Sequence, residues 1–259
     1  QLMLGVGAKK KVYLDDVFNN YLWRGNSIDN RAINVGFDYA SEEGLVWIKN
    51  RQDSDPHCLF DTLRGANKRL ASNTTSTETT TSVELKSFTS TGYTLGTDGT
   101  VNGNTKPFVS WNFKSAPGFF DVVQFTTSNS ANQRIPHSLG SIPGMIIIKN
   151  LHSADNWLVY HRETERSKWT DLSNSDATAT SANIWGTGNP TSTDFGFNSA
   201  GWLGNNSYNF IAYVFAGGES AAAIARSVAF DGSGDYLTQT CDAVLRNWWD
   251  QAFTVEYWV

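Results

Sequence analysis

Cysteine and charge are both scarce in this chain of 259 residues, and each scarcity narrows the classes of protein to which it can belong. Its two cysteines, Cys58 and Cys241, lie far apart in sequence, so we expect neither a disulfide framework nor a zinc site. Charged residues make up 17% of the chain, below the roughly 25% of an average soluble protein. No apolar run approaches the ~20 residues of a membrane-spanning helix, so we expect no membrane insertion.

Positive charge is also too sparse to attract a polyanion. The formal net charge is −5 and the pI about 5.3, so we expect no nucleic-acid partner. The one basic cluster is Lys9, Lys10 and Lys11, near the N-terminus. It is interpreted either as a solvated arm or, together with Tyr13 and Leu14, as a docking segment for an acidic assembly partner.

The chain contains a tandem duplication. Residues 44–50 (GLVWIKN) reappear as residues 144–150 (GMIIIKN), and residues 89–95 (TSTGYTL) correspond to residues 191–197 (TSTDFGF). A period of about 100 residues is the length of a domain rather than of a solenoid repeat. We place the first copy at residues 17–115 and the second at residues 116–218.

The pattern within each copy predicts an all-β fold. Apolar Val109, Trp111 and Phe113 alternate with polar residues, which is typical of a strand with one buried face. Residues 45–48 and 145–148 are continuously apolar, which predicts central strands that are covered on both sides. The expected fold is two tandem antiparallel β-sandwich domains, jelly-roll-like, followed by the first strands of a third β-sandwich.

Two segments of low complexity interrupt these patterns. Residues 73–82 are nearly all threonine and serine, and residues 174–181 are equally polar. Such segments are interpreted as exposed loops or, alternatively, as an exposed edge strand in an intersubunit contact. Residues 219–226 are interpreted as a linker. The apolar strand pattern of residues 253–259 ends the sequence without a partner, so we expect the natural chain to continue past residue 259.

No catalytic constellation is evident, and we expect neither an enzyme nor a cofactor. Glu42 with Glu43, and Glu163 with Glu165, are the candidate carboxylate pairs for glycoside hydrolysis, but neither pair has a counterpart in the other copy. His57 and Cys58 are adjacent on a strand, where side chains diverge. His137, His152 and His161 lack the spacing of metal ligands.

Two tryptophans are candidates for glycan binding. Trp185 and Trp202 lie in surroundings rich in glycine and asparagine, and tryptophan faces beside amides can stack on sugar rings. The alternative is that both side chains fill the ends of a sandwich core.

The N-terminal sequence resembles a known group of proteins. Residues 11–18 (KVYLDDVF), 21–26 (YLWRGN) and 44–51 (GLVWIKNR) are similar to tail-fibre and related virion structural proteins of marine bacteriophages, especially those of cyanobacteria. Residues 230–237 (FDGSGDYL) and 253–259 (FTVEYWV) resemble the opening strands of a concanavalin or laminin-G-like module, which would begin at residue 227.

The resemblance implies a phage virion component located in the tail. Residues 1–16 would dock onto other phage tail proteins, and the duplicated domains would hold a distal region beyond residue 259 that meets a host surface glycan or receptor. It also implies a homotrimer. Two alternatives stay open at this point: a carbohydrate-binding module of a surface or secreted protein, and a tail spike whose catalytic part lies beyond residue 259.

Overall fold

The computed structural model describes residues 12–164, 166–181, 184–200 and 207–218. The chain divides into two units after Gly218, and only the first unit contains described residues. The expected linker and third sandwich, residues 219–259, therefore lie outside them. Within the described ranges helix is limited to a short 3-10 turn at Leu14–Asp16 and one turn, α1, at Gly99–Asn102. The prediction of an all-β sandwich fold is confirmed.

Seventeen short strands make up the described part of the chain. The first copy contains β1 (Phe18–Arg24), β2 (Arg31–Asn34), β3 (Gly44–Asn50), β4 (Cys58–Asp61), β5 (Lys68–Ala71), β6 (Thr79–Thr80), β7 (Leu85–Thr89), β8 (Gly92–Leu95) and β9 (Pro107–Lys114). The second contains β10 (Phe120–Thr126), β11 (Gln133–Pro136), β12 (Pro143–Asn150), β13 (Leu158–His161), β14 (Lys168–Asp171), β15 (Ala179–Thr180), β16 (Asp194–Phe197) and β17 (Asn209–Ala216).

The same topology occurs twice. A large six-stranded sheet has the order β1-β9-β3-β4-β5-β6 in the first copy and β10-β17-β12-β13-β14-β15 in the second. A smaller sheet lies in each copy, with the order β2-β8-β7 in the first and β11-β16 in the second. All the pairings are antiparallel.

Each copy has its own core, formed by side chains of its large sheet and of its smaller elements. In the first copy, Val46 and Ile48 of β3 belong to one cluster with Ile33 and Tyr93 of the small sheet. In the second, residues of β12 and of β16 form the equivalent cluster. These contacts use only one face of each large sheet.

The other faces of the two large sheets form a third core. Leu45, Leu59 and Leu70 of the first copy belong to one buried cluster with six residues of the second: Phe120, Val122, Ile147, Trp157, Ile211 and Tyr213. This packing explains why residues 45–48 and 145–148 are apolar at successive positions. The prediction that β3 and β12 are covered on both sides is correct, and the cover on the second side is the other copy.

The two copies contact each other through equivalent surfaces. Phe113 and Phe215 occupy equivalent positions, and their ring centroids are 5.6 Å apart. Each also packs on the edge strand of its own sheet, at 4.9 Å in both cases: Phe113 on Phe18, and Phe215 on Phe120. The arrangement resembles an isologous dimer interface, with both halves supplied by one chain.

The polar contacts across this interface are not symmetric. Trp157 of the second copy donates its Nε1 hydrogen to the carbonyls of Ala71 and Thr74, at 3.0 and 3.1 Å. Lys149 Nζ donates to the carbonyl of Thr75 at 2.8 Å. The threonine-rich segment 73–78 thus lies against the second copy, and the exposed Thr79 and Thr80 form the short edge strand β6.

We expect Trp157→Ala to lower the free energy of unfolding by about 3–5 kcal/mol, because it removes a buried indole and two hydrogen bonds between the copies. The matched control is His57→Ala at the equivalent position of the first copy. There the imidazole is half-buried and accepts one hydrogen bond, so about 1 kcal/mol is expected. Equilibrium urea unfolding measures both, and equal losses would contradict the asymmetric interface.

Candidate interaction surface

Exposed apolar side chains concentrate near the start of the described chain. Val12 (50% exposed), Tyr13 (57%), Leu14 (64%), Tyr21 (37%) and Leu22 (59%) are five of the nine large apolar side chains that are exposed within the described residues. We call these five, which are close together in sequence, the N-terminal apolar strip; within it, Tyr21 and Leu22 point to opposite faces of β1. Single exposed apolar residues need no explanation, whereas a concentration of them marks a candidate interaction site.

Two local hydrogen bonds hold the turn that carries the first residues of the strip. The backbone N–H of Tyr13 donates to Asp16 Oδ2 at 3.0 Å, and the N–H of Val17 donates to the carbonyl of Leu14 at 3.1 Å. Val17 is buried and fixes this turn to the sandwich. The turn therefore holds Leu14 outside the core.

A cleft of about 460 Å³ adjoins the strip. Its lining includes four carboxylates and one lysine: Asp15, Asp16, Asp38, Glu42 and Lys114. Lys114 pairs with Glu42 at 2.8 Å. The apolar strip therefore lies beside an acidic cleft.

The structure places only some of the predicted binding residues. Tyr13 and Leu14 are exposed, as docking requires, whereas Lys9, Lys10 and Lys11 lie outside the described residues. Trp185 is 2% exposed, packs on Tyr160 and donates its Nε1 hydrogen to the carbonyl of Lys168 at 2.9 Å, so it presents no free face to a sugar. Trp202 lies outside the described residues.

Two of the four candidate catalytic carboxylates are in ion pairs with separate partners. Glu42 pairs with Lys114, and Glu163 pairs with Arg162 at 3.0 Å. Burial raises the pKa of Glu43, with a smaller contribution from the charge of Asp121. Glu165 lies outside the described residues.

His57 and Cys58 do not form a nucleophile–base pair. The Nδ1 atom of His57 accepts a hydrogen bond from Trp47 Nε1 at 3.1 Å. Cys58 is fully buried, and burial raises the pKa of its thiol to about 12, so the thiolate is suppressed at neutral pH. Across the ranges that the structure describes, no group of three His, Cys, Asp or Glu side chains could hold a metal ion, and no helix is long and apolar enough to cross a membrane.

A repeated lysine-asparagine pair has a structural role that was not predicted from the sequence. Lys49 Nζ donates to the carbonyl of Asp55 at 2.8 Å, and Asn50 Nδ2 donates to its carboxylate at 2.7 Å. In the second copy Lys149 and Asn150 make the same two contacts with Asp155. Burial lowers the pKa of Lys149 to about 8. The contact could have been predicted from the sequence, because Ile-Lys-Asn occurs in both copies with an aspartate five residues after the asparagine.

A buried ionic group also joins the two copies. Arg64 and Asp61, both buried, form an ion pair at 2.5 Å. The hydroxyl of Tyr213 donates to Asp61 Oδ2 at 2.8 Å, and Arg64 Nη2 donates to that hydroxyl oxygen at 3.3 Å. Every member has a partner, which is the condition under which a buried charge is tolerated. This group therefore serves the contact between the copies.

Glu84 is the buried carboxylate that is least well satisfied. It is 3% exposed; its Oε1 accepts a hydrogen bond from Arg69 at 2.5 Å, while Oε2 has no partner within the described residues. Burial raises the pKa of Glu84 from 4.5 to about 7, against the opposing effect of Arg69.

These features define a class, an all-β protein built from two fused copies of one sandwich. Residues 15–235 match a family described as a domain of unknown function, DUF7483, and the chain belongs to this family. The match covers both copies, so the duplicated pair lies within the family unit. Neither a curated protein nor a solved structure matches the chain significantly.

We expect Glu84→Gln to change the pH dependence of stability. The folded protein binds the Glu84 proton more tightly than the unfolded chain, so this group's contribution is present below pH 4.5 and is lost as the pH rises through 7. The variant should match the parent near pH 5 and be more stable by about 1–3 kcal/mol near pH 8. Urea unfolding at both pH values measures the difference.

The control for this prediction is Glu42→Gln, which removes a surface ion pair with Lys114. Surface pairs contribute about 0–1 kcal/mol, so it should change stability little. A Glu84→Gln variant that is less stable than the parent at pH 8 would contradict the prediction. It would mean that the ion pair with Arg69 stabilises the fold by more than burial of the Glu84 charge destabilises it.

Proposed function

We propose that this chain is a structural protein of a phage virion. It forms the N-terminal part of a tail fibre, anchors the fibre to the tail and holds the distal receptor-binding region. The observation that carries the proposal is the N-terminal apolar strip, because it is exposed in the same stretch of sequence that resembles tail-fibre proteins. An anchoring segment needs apolar side chains that are available to a partner.

The three-core architecture supports a mechanical role. The two large sheets pack face to face, and each also belongs to a core with the smaller elements of its own copy. Closely packed interiors have low compressibility and transmit strain. A block of this kind is suited to hold a distal region at a fixed distance from the tail.

The side-chain environments argue against catalysis and glycan stacking by the described residues. Two of the carboxylates considered for glycoside hydrolysis, Glu42 and Glu163, are in separate ion pairs, and Cys58 is buried. One of the two tryptophans considered for glycan stacking, Trp185, is part of the core. No observation within the described residues favours a carbohydrate-binding module.

Immunogold labelling of virions tests the proposal. An antibody against residues 17–218 is applied to purified particles of the phage that encodes the chain. We expect gold particles clustered at the tail, in a small multiple per virion. Absence of label from all particles, with the antibody active against the isolated protein, would overturn the proposal.

Leu14→Asp tests the anchoring segment separately. It places a charge on a 64%-exposed apolar side chain that docking would bury, and loss of a buried leucine contact costs about 1.5–3 kcal/mol. We therefore expect incorporation into virions to fall about tenfold or more, as measured by quantitative immunoblotting.

The matched control is Ile142→Asp, which alters a 61%-exposed apolar side chain outside the strip. It should leave incorporation unchanged. Equal effects of the two variants would argue against a specific role for the strip.

A further inference from the structure

The large sheet of the first copy has two very different edges. One edge is β6, which contains only Thr79 and Thr80. The other is β1, which spans seven residues, Phe18–Arg24, and pairs with β9 along its whole length without a bulge. Within the described residues β1 has no neighbour on its other side.

Two backbone hydrogen bonds determine which groups of β1 point outward. The N–H of Lys114 donates to the carbonyl of Val17, and the N–H of Gly25 donates to the carbonyl of Lys106, both at 2.8 Å. In an antiparallel pair the bonded positions alternate, so the odd-numbered residues of β1 bond to β9. The N–H and C=O groups of Asn20 and Leu22 therefore point away from the sheet, where the described residues supply no partner.

The edge also lacks the usual protection. Proteins block edge strands with lysine, proline, bulges or very short strands. Residues 18–23 contain no lysine, proline or acidic residue, and Asn20, Tyr21 and Leu22 are exposed. In the equivalent strand β10, Val122 is buried and the charge of Asp121 points inward to accept the N–H of Ser138 at 2.6 Å. β10 also contacts β3 and β9 of the first copy.

We propose that β1 pairs antiparallel with β1 of a second copy of this chain, so that two large sheets continue into each other across a two-fold axis. The outward groups of Asn20 and Leu22 would then complete a ladder of main-chain hydrogen bonds. The inference does not rest on the proposed function, because it concerns the isolated protein, and it proposes a dimer in place of the homotrimer that the resemblance implies.

The sequence of β1 is complementary to itself in one register. With the axis at Asn20, Asn20 lies opposite Asn20 of the second copy, and Leu22 lies opposite Phe18. The same register directs Arg24 toward the end of the second strand that carries Asp16. Apolar and opposite-charge cross-strand pairs each contribute about 0.2–1 kcal/mol.

The two neighbouring registers that keep the outward groups bonded are less favourable. One of them places Leu22 opposite Asp16 and Asn20 opposite Phe18, which separates the apolar side chains. The other places Arg24 opposite Phe18 and Leu22 opposite Asn20, and so also separates the apolar side chains from one another. The occupant that best matches the edge is therefore a second copy, in the register centred on Asn20.

Sedimentation velocity of the 259-residue chain tests the association. The parent should sediment with twice its mass of 28.6 kDa at protein concentrations of about 10–100 µM. Leu22→Lys charges the edge, and Asn20→Pro removes an outward N–H without removing a bond to β9. Both variants should weaken the association at least about tenfold, which corresponds to 1.4 kcal/mol.

The matched control is Gln124→Lys, at the position of β10 that is equivalent to Leu22. Gln124 is exposed, so a lysine there is tolerated, and the mass should remain that of the parent. Thermal unfolding followed by circular dichroism verifies that all three variants are folded. A parent that is monomeric at about 100 µM or trimeric overturns the inference. The inference is also overturned if Leu22→Lys and Asn20→Pro are folded and still dimerise as tightly as the parent.

Cysteine cross-linking tests the register. Directly opposite residues of a hydrogen-bonded antiparallel pair have Cα atoms about 5.5 Å apart, within the roughly 4.4–6.8 Å of a disulfide. Asn20→Cys should therefore give a covalent dimer under mild oxidation. Leu22→Cys should not, because its opposite residue is Phe18 rather than a second cysteine.

The parent, which retains Cys58 and Cys241, gives the background for this experiment. Equal cross-linking of Asn20→Cys and Leu22→Cys, or cross-linking of Leu22→Cys alone, would overturn the register centred on Asn20. Failure of the virion labelling would leave both of these results unchanged, so the two proposals can fail independently.

Discussion

The contact between the two large sheets is the constraint on which the rest of the structure depends. Each large sheet has apolar side chains on both faces, while the smaller sheet of its own copy lies on one face only. A single copy would leave Leu45, Leu59 and their neighbours in water. At about 25 cal/mol per Å² of apolar surface, such a face is a strong driving force for association. Duplication supplies the partner surface within the same chain, so the contact forms within one molecule and does not depend on protein concentration.

The two copies have since become complementary rather than identical. Trp157 donates hydrogen bonds into the first copy, whereas the equivalent His57 accepts one from Trp47 of its own copy. Likewise Lys149 reaches the carbonyl of Thr75, whereas Lys49 bonds only to carbonyls of its own turn. These differences place two buried polar groups, Trp157 Nε1 and Lys149 Nζ, at the contact between the copies. They explain why the threonine-rich segment of the first copy is part of an interface, although its composition resembles that of a free loop.

Periodicity and internal repetition were sufficient to predict the fold class and the double cover of β3 and β12. They could not predict which element packs on the second face of these strands, because an apolar run looks the same whether a helix, a sheet or another copy packs on it. Trp185 illustrates the same limit, since its glycine-rich surroundings suggested a loop and its burial depends on residues distant in sequence, such as Tyr160. Leu22 is the converse, because an apolar residue on a strand gives no indication in the sequence that its side chain is exposed.

Duplication covers the faces of the sheets, but it does not cover their edges. Within the described residues the two large sheets have four edges, and three of them are protected from unwanted pairing. β6 and β15 are only two residues long, and β10 combines an inward-pointing aspartate with contacts to the first copy. β1 has neither device, although it is as long as β10 and descends from the same ancestral strand. Because a long unprotected edge is a hazard for a protein that acts alone, its retention in one copy indicates that this edge has a partner.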